Sequence, residues 1–218
     1  MVEPTPSNTE SRTKFCMHCG AQIAFEAEIC PKCGVRTAPP PHVETMYVKS
    51  QDSLGERLFF FLSGIIVGVP VALFFELVSH LWFTALGIGT IVAPIIEEFA
   101  KADPLFYRYH RTGRSLMRFG LLSGLGFGLA EAFIYIQAGT PFLLRVPAIA
   151  FHAAGTSIVA YGVYKHKVLK YYFLAVTLHF LNNFFAALGW LWLIGGLGAT
   201  VASYYLAWKF YRQVSKPI

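Results

Sequence analysis

Two adjacent carboxylates, Glu97 and Glu98, stand at the end of a long apolar stretch and constrain the fold more than any other feature of the chain. Between residues 58 and 96 the one formal charge is Glu76, and Lys101 follows the pair within one helical turn. Ionised carboxylates are costly inside a bilayer, so they are rare in membrane helices and usually functional. The pattern therefore predicts a polar centre built within a membrane.

The distribution of charge predicts an all-α polytopic membrane protein. Charged residues make up 14% of the chain, against about 25% in soluble domains. Four runs are nearly free of them, namely 58–96, 119–144, 146–164 and 171–208. A membrane span needs about 20 apolar residues, so the first and last runs can each hold two spans and the middle runs one each. The six predicted helices are 57–79, 83–107, 117–138, 143–164, 168–188 and 190–211.

The basic residues predict the orientation of these helices. All of the 18 Lys and Arg residues except Arg145 fall on one side of the predicted membrane. Because basic residues are enriched in cytoplasmic loops, both termini are expected in the cytosol and the protein in the cell membrane as a multi-pass chain. The formal net charge of +6 comes from residues that flank the apolar runs. We therefore expect the lipid bilayer, and no nucleic acid, as the partner of these charges.

The polar N-terminal region contains a cysteine array that predicts a zinc site. Its C-x2-C-x10-C-x2-C pattern consists of Cys16, Cys19, Cys30 and Cys33. Four thiolates with this pairing suit a closed, tetrahedral structural zinc, and a cytosolic location disfavours the alternative of two disulfides. Residues 15–34 resemble the short zinc ribbons found at the ends of many microbial membrane proteins, which implies a structural role or a protein partner. The predicted domains are a ribbon (1–36), a Pro-rich linker (37–55), a six-helix membrane domain (56–212) and a tail (213–218).

Further polar residues interrupt the later apolar runs, one group on each of three predicted helices. They are Glu131, His152 and the pair His179 and Asn183. His179 and Asn183 are four residues apart, as are Glu97 and Lys101, so each pair shares one helix face. Gly120, Gly124 and Gly128 form a face of small residues that allows close helix packing. This packing is expected to bring Glu131 close to the other polar residues.

The ordered motifs EExxK, FxxxE and HxxxN resemble those of the PrsW family. Here they are Glu97–Lys101, Phe127–Glu131 and His179–Asn183, with His152 at the place of an additional family histidine. Members are intramembrane proteases of the site-one type that cut membrane-anchored anti-sigma factors. They are related to the type II CAAX prenyl proteases, which are glutamic proteases. The resemblance covers about residues 55–212.

The resemblance implies a mechanism, with some roles left open. Glu97 would be the general base that activates water, and His179 and Asn183 would form the oxyanion site. Glu131 would help to hold the water and is expected to share a proton with Glu97. Glu98 is expected to pair with Lys101, and the opposite assignment of the two glutamates stays open. His152 would either donate to the leaving group or orient Glu98. No catalytic cofactor is expected.

The CAAX relatives differ from this chain in two of the motifs. Their first motif ends in arginine and their second carries histidine, where this chain has Lys101 and Glu131. The role of Glu131 is therefore the least constrained by the resemblance.

Two other interpretations are compatible with the same residues. In the first, Glu97, Glu131, His152 and His179 bind a catalytic zinc and Glu98 acts as the base. In the second, the polar residues belong to a membrane scaffold or transporter that is not an enzyme, because transporters also bury carboxylates and histidines. Chelator-resistant cleavage of a membrane peptide by this protein would favour the glutamic interpretation.

Overall fold

The computed structural model describes residues 13–25, 27–37, 52–108 and 111–215. The chain divides into two compact units, Met1–Gln51 and Asp52–Ile218. Most of the predicted linker, including its prolines, and the last three residues of the predicted tail lie outside the described residues.

The N-terminal unit is a small cysteine-centred fold. Strands β1 (Thr13–Phe15) and β2 (Gln22–Ala24) pair antiparallel, with Lys14 opposite Ile23. Each cysteine pair closes a tight turn that ends in a glycine with positive φ, Gly20 at 70° and Gly34 at 71°. Gly20 N–H donates to the Cys16 carbonyl at 2.8 Å, and Gly34 N–H donates to the Cys30 carbonyl at 2.9 Å. The two turns therefore present their cysteines in the same local geometry.

The second unit contains six long helical segments within its described residues. Helix α1 (Leu54–Ser79) includes a π-helical turn at Gly64–Gly68, and α2 (85–106) includes another at Ile88–Val92. Helices α3 (Gly113–Gln137), α4 (Phe142–Tyr164), α5 (Val168–Ala187) and α6 (Gly195–Ser215) follow, with a 3-10 turn at Gly189–Leu193 before α6. Each segment begins and ends within a few residues of its predicted position, because the apolar runs and the turns between them fix the ends.

The fold is that of an all-α polytopic membrane protein with a small N-terminal ribbon. Four described segments are long and apolar enough to cross a membrane: Leu54–Ser79, Gly113–Gln137, Phe142–Tyr164 and Gly189–Ser215. The other two long helices, α2 and α5, carry most of the polar candidate site residues. The six passes and the cytosolic termini stay predictions.

Glycines set the distance between the central helices. A Cβ built on Gly120 would lie 2.7 Å from the Thr156 carbonyl oxygen, and one on Gly124 would lie 2.3 Å from that of His152. A Cβ on Gly128 would lie 2.9 Å from the Ile149 Cα. Side chains at these positions would push α3 away from α4, so the predicted small-residue face is confirmed as a helix contact. This contact brings Glu131 of α3 beside His152 of α4.

Candidate active site

An ion pair on helix α2 forms the base of the polar centre. The Lys101 Nζ atom lies 2.6 Å from Glu98 Oε1, and both side chains are 0% exposed. The i, i+3 spacing on one helix allows this contact. Glu98, rather than Glu97, is therefore the partner of Lys101. The first turn of α4 after His152 leaves space for the Glu98 carboxylate because it carries a glycine. Gly155 lies there, and a Cβ at this position would be 3.3 Å from Glu98 Oε2.

The two histidines each contact this ion pair through one ring nitrogen. His179 Nδ1 lies 2.9 Å from Glu98 Oε1, and His152 Nδ1 lies 2.9 Å from Lys101 Nζ. An ammonium group donates hydrogen bonds and accepts none, so His152 Nδ1 is the acceptor and its proton is on Nε2. A carboxylate oxygen accepts, so His179 Nδ1 carries a proton and donates to Glu98. In the neutral imidazole of His179, Nε2 then carries a lone pair.

Glu131 and Arg145 extend the network on the other side of His152. His152 Nε2 lies 2.8 Å from Glu131 Oε2, and Arg145 donates to the same oxygen at 2.6 Å. The guanidinium of Arg145 also lies 4.1 Å from the centre of the Tyr135 ring. Six side chains are thus joined by consecutive hydrogen bonds, a set called the relay here: Arg145, Glu131, His152, Lys101, Glu98 and His179.

Glu97 faces both histidines without bonding to either. Its Oε2 atom is buried and has no hydrogen-bond partner among the described residues. It lies 3.8 Å from His179 Nε2 and 3.9 Å from His152 Nδ1. These distances exceed hydrogen-bond length. Glu97 Oε2 and His179 Nε2 are both acceptors, so the gap between them calls for a hydrogen donor or a cation.

Glu97, His152 and His179 can also offer one ligand atom each to a metal ion, with all three atoms within 4.8 Å of one another. The other nitrogen of each histidine bonds to a carboxylate, His152 Nε2 to Glu131 and His179 Nδ1 to Glu98, and a carboxylate behind a ligating histidine is usual in metal sites. Tetrahedral zinc at about 2.1 Å from each ligand would set neighbouring ligands about 3.4 Å apart. The 3.8 and 3.9 Å separations are close to this value. The donors therefore fit a divalent ion, provided that Lys101 turns away from His152.

Glu97, His152 and His179 line a cavity of ≈ 690 Å³ that is bordered by several helices. Asn183, one turn after His179, lies on its wall and donates its amide to the Gly89 carbonyl at 2.9 Å. Gly89 lies in the π-helical turn of α2. This bond fixes one amide hydrogen of Asn183 and leaves the second for another acceptor.

The structure brings all seven predicted membrane residues to this region, but some predicted contacts differ. Among the described residues, no hydrogen bond joins the carboxyls of Glu97 and Glu131, because Glu131 Oε2 accepts from Arg145 and His152. His179 rather than His152 contacts Glu98. Glu131 is absent from the group of potential metal ligands, since it lies behind the far nitrogen of His152.

Two charged residues of the cavity wall were not among the predicted site residues. Glu76 of α1 lines the cavity and interacts electrostatically with Glu97 and Glu131. Arg145 lines it as well. Each had a signal in the sequence, because Glu76 is the sole charge of its apolar run and Arg145 is the sole basic residue on its side of the predicted membrane.

The cysteine cluster in the N-terminal unit has the geometry of a four-thiolate site. The Sγ atoms of Cys16 and Cys33 are 3.7 Å apart, as are those of Cys19 and Cys30. Tetrahedral zinc with Zn–S bonds of about 2.3 Å sets sulfurs about 3.8 Å apart, so the cluster fits zinc. Hydrogen bonds from the backbone N–H groups of Cys19 and His18 lower the pKa of the Cys16 thiol to about 6. This pKa favours the thiolate that a metal binds.

Comparison with known families identifies the membrane unit. The model of the PrsW family of intramembrane metalloproteases matches residues 54–210. The chain belongs to the PrsW protease family. The match covers α1 to α5, most of α6 and every polar residue of the relay, and it makes the protein an intramembrane peptidase at the family level. No curated protein and no solved structure matches the chain.

Proposed function

We propose that this PrsW-family protein hydrolyses peptide bonds of membrane-anchored proteins, with Glu97 as the general base that activates water. The observation that carries the proposal is the gap at Glu97. Two buried acceptors, Glu97 Oε2 and His179 Nε2, face each other at 3.8 Å, and Glu97 Oε2 has no hydrogen-bond partner among the described residues. A water molecule that donates one hydrogen to each acceptor satisfies both and directs an oxygen lone pair toward the cavity.

The proposed reaction conserves every proton. The water oxygen attacks the carbonyl carbon of the scissile bond while Glu97 takes one water proton. The carbonyl oxygen becomes an oxyanion, to which Asn183 on the cavity wall would donate its second amide hydrogen. When the tetrahedral intermediate collapses, the C–N bond breaks and Glu97 returns its proton to the leaving amine. The products are a carboxylic acid and an amine.

The structure modifies the role that the family resemblance implies for His179. Its Nδ1–H points to Glu98 at 2.9 Å, so its free Nε2 is an acceptor in the neutral ring. A neutral His179 therefore orients the water, and it can donate to an oxyanion only after Nε2 is protonated. The proposal assigns water positioning to His179 and oxyanion stabilisation to Asn183. Glu98, Lys101, Glu131 and His152 hold His179 in place through the relay, and the Gly89 carbonyl holds Asn183.

A metal-dependent version of the same reaction is the second candidate, because the ligand atoms of Glu97, His152 and His179 lie within 4.8 Å of one another. A divalent ion held by these residues would polarise the carbonyl and acidify the bound water. In this version Lys101 would release His152 Nδ1, and the carboxylates of Glu131 and Glu98 on the far nitrogens would keep His152 and His179 in place. The two candidates differ in what fills the gap at Glu97.

Cleavage and metal content together test the proposal. The purified protein would be incubated with single-pass membrane peptides in detergent or vesicles, alongside Glu97→Gln. The proposal predicts cleavage by the wild type alone and one bound zinc per chain, held by the ribbon. Two metals per chain in the wild type, and one in Cys16→Ser/Cys30→Ser, would establish the metal-dependent version. Cleavage by Glu97→Gln at the wild-type rate would rule out Glu97 as the base in either version.

We further propose how the remaining parts serve this activity. The substrates are membrane-anchored proteins of the anti-sigma-factor type, and the protein spans the cell membrane with both termini in the cytosol. Residues 1–36 form a structural zinc ribbon that can dock a protein partner, residues 37–55 link it to the protease domain 56–212, and residues 213–218 form a cytosolic tail. The four-thiolate site is closed, so it supports structure rather than catalysis.

A further inference from the structure

We propose that Arg145 is a positioning residue of this active site, which fixes Glu131 and, through it, selects the orientation and tautomer of His152. The effect on catalysis rests on the proposed function, but the effect on His152 does not. No motif of the sequence includes Arg145. The hydrogen-bond donors and acceptors around Glu131 and His152 support this role.

Arg145 and His152 hold the same oxygen atom of Glu131. The two residues are seven positions apart on α4, which is about two helical turns, so their side chains share one face. Arg145 donates to Glu131 Oε2 at 2.6 Å, and His152 Nε2 lies 2.8 Å from that oxygen. The Arg145 side chain is 15% exposed, and its guanidinium packs on the Tyr135 ring at 4.1 Å. Glu131 is thus clamped between two residues of the neighbouring helix.

The donor and acceptor roles along the relay agree with one another. A guanidinium has five N–H donors and no acceptor, so Glu131 Oε2 accepts from Arg145. The same oxygen then receives the Nε2 proton of His152, which leaves a lone pair on Nδ1. At the other end of the ring, the Lys101 ammonium donates to that lone pair at 2.9 Å. The opposite tautomer would set Nδ1–H against the ammonium and a bare Nε2 against the carboxylate. Arg145 and Lys101 therefore select the same tautomer from opposite sides.

The unusual location of Arg145 agrees with this role. It is the one basic residue on the non-cytoplasmic side of the predicted topology. A cation on the non-cytoplasmic side disfavours the predicted membrane orientation unless its side chain faces the protein interior. Its side chain turns to the cavity and to Glu131. An inward arginine paired with a partly buried carboxylate serves the site rather than the membrane topology.

The first experiment measures kcat and KM separately for Arg145→Ala and Arg145→Lys. Loss of an outer partner of a site residue typically costs about 10–100-fold in activity. We expect Arg145→Ala to lower kcat by about that factor, with little change in KM, because in this proposal Arg145 acts through Glu131 and His152 rather than on the substrate. Arg145→Lys keeps a charge and a donor, so its loss should be below about 10-fold. Arg118→Ala is the matched control, since Arg118 also pairs with a carboxylate, Asp52 at 3.3 Å, but lies outside the relay.

The second experiment reads the tautomer of His152 and needs no proteolysis. Nitrogen-15 NMR of histidine-labelled protein distinguishes ring nitrogens that carry a proton from those that do not, and His152→Gln identifies the His152 signals. The wild type and Arg118→Ala should show a protonated Nε2 and a bare Nδ1. Arg145→Ala should show a shifted or averaged Nε2 signal, because Glu131 is no longer held against Nε2–H while Lys101 still donates to Nδ1, and Arg145→Lys should restore the wild-type pattern.

Each other outcome contradicts the proposal in a recognisable way. An unchanged His152 spectrum in Arg145→Ala would show that Arg145 does not set the tautomer, whatever the protein cleaves. A rise in KM with kcat unchanged would make Arg145 a substrate contact. Equal losses in Arg145→Ala and Arg118→Ala would indicate general destabilisation. Failure of the proposed function is separate, since it would appear as cleavage by Glu97→Gln.

Discussion

The buried Glu98–Lys101 pair gives the most quantitative test of the active-site structure. Lys101→Met removes the ammonium and leaves Glu98 Oε1 bonded to the Nδ1–H of His179, while Glu98 Oε2 has no hydrogen-bond partner among the described residues. Both side chains are 0% exposed. Breaking a fully buried ion pair on one side typically costs about 3–5 kcal/mol, because the remaining charge is uncompensated. We expect a loss of that size in the free energy of unfolding.

Removing both charges should cost less than removing one. In Glu98→Gln/Lys101→Met no charge remains unpaired, and the amide can still bond to His179. The expected loss is the hydrogen bonds that are not replaced, about 1–2 kcal/mol. The double variant should therefore be more stable than Lys101→Met by about 2 kcal/mol or more, a coupling within the range measured for contacting residues. The double variant is expected to be more stable than Lys101→Met only if the Glu98–Lys101 pair is excluded from water.

Thermal unfolding in detergent measures the order directly. The chain has 4 Trp residues whose fluorescence reports unfolding. At about 2–4 °C per kcal/mol for a domain of this size, Lys101→Met should lower the melting temperature by about 6–20 °C. Lys209→Met, at an exposed position of α6, is the control and should change it little. A double variant that melts at or below Lys101→Met would refute the assignment of a water-free pair and with it the base of the relay.

Four further predictions concern the site, the ribbon and the topology. Glu97→Gln should abolish proteolysis and leave the melting temperature within a few degrees of wild type, and an unfolded variant would contradict its catalytic assignment. Asn183→Ala should lower kcat by about 10²–10³-fold, as for one oxyanion donor, and an unchanged rate would exclude Asn183 from that role. Cys16→Ser should release the ribbon zinc, as measured by elemental analysis, while the membrane unit stays folded. Reporter fusions should read external after residues 80, 140 and 189, and cytosolic signals at two of them would refute six spans.

The sequence predicted the helices and the identity of the polar residues because both depend on local pattern. Apolar runs and their interruptions fixed six segments to within a few residues. The i, i+3 spacing of Glu98 and Lys101 allowed their contact, which the structure has at 2.6 Å. The four-residue repeat of Gly120, Gly124 and Gly128 predicted a tight helix contact, and backbone atoms of α4 occupy the space that side chains there would need.

Contacts between helices were harder to predict because they depend on how far along its helix each residue lies relative to the residues of the neighbouring helix. In a hairpin that turns at about residues 139–140, Glu131 lies level with about residue 148. Arg145 is three residues from that level, about 4.5 Å along the helix, and a long arginine side chain covers this distance. His152 is about one turn to the other side. This estimate places Glu131 between Arg145 and His152, but only once the two helices are known to pack face to face. The π-helical turns in α1 and α2 had no signal that we recognised.

The balance of charge at the site explains why water and metal remain rival occupants of the gap at Glu97. Four carboxyl groups of the site and its cavity wall face two cationic side chains: Glu76, Glu97, Glu98 and Glu131 against Lys101 and Arg145. Fully ionised, this set carries a formal charge of −2, and uncompensated buried charge is strongly unfavourable. Two protons or one divalent cation would neutralise it. A proton on Glu76 leaves Glu97 ionised as the general base and a formal charge of −1, whereas an ion at Glu97, His152 and His179 satisfies the second solution in full. Metal content therefore decides the mechanism more directly than kinetics does, since Glu97→Gln removes the essential group in both.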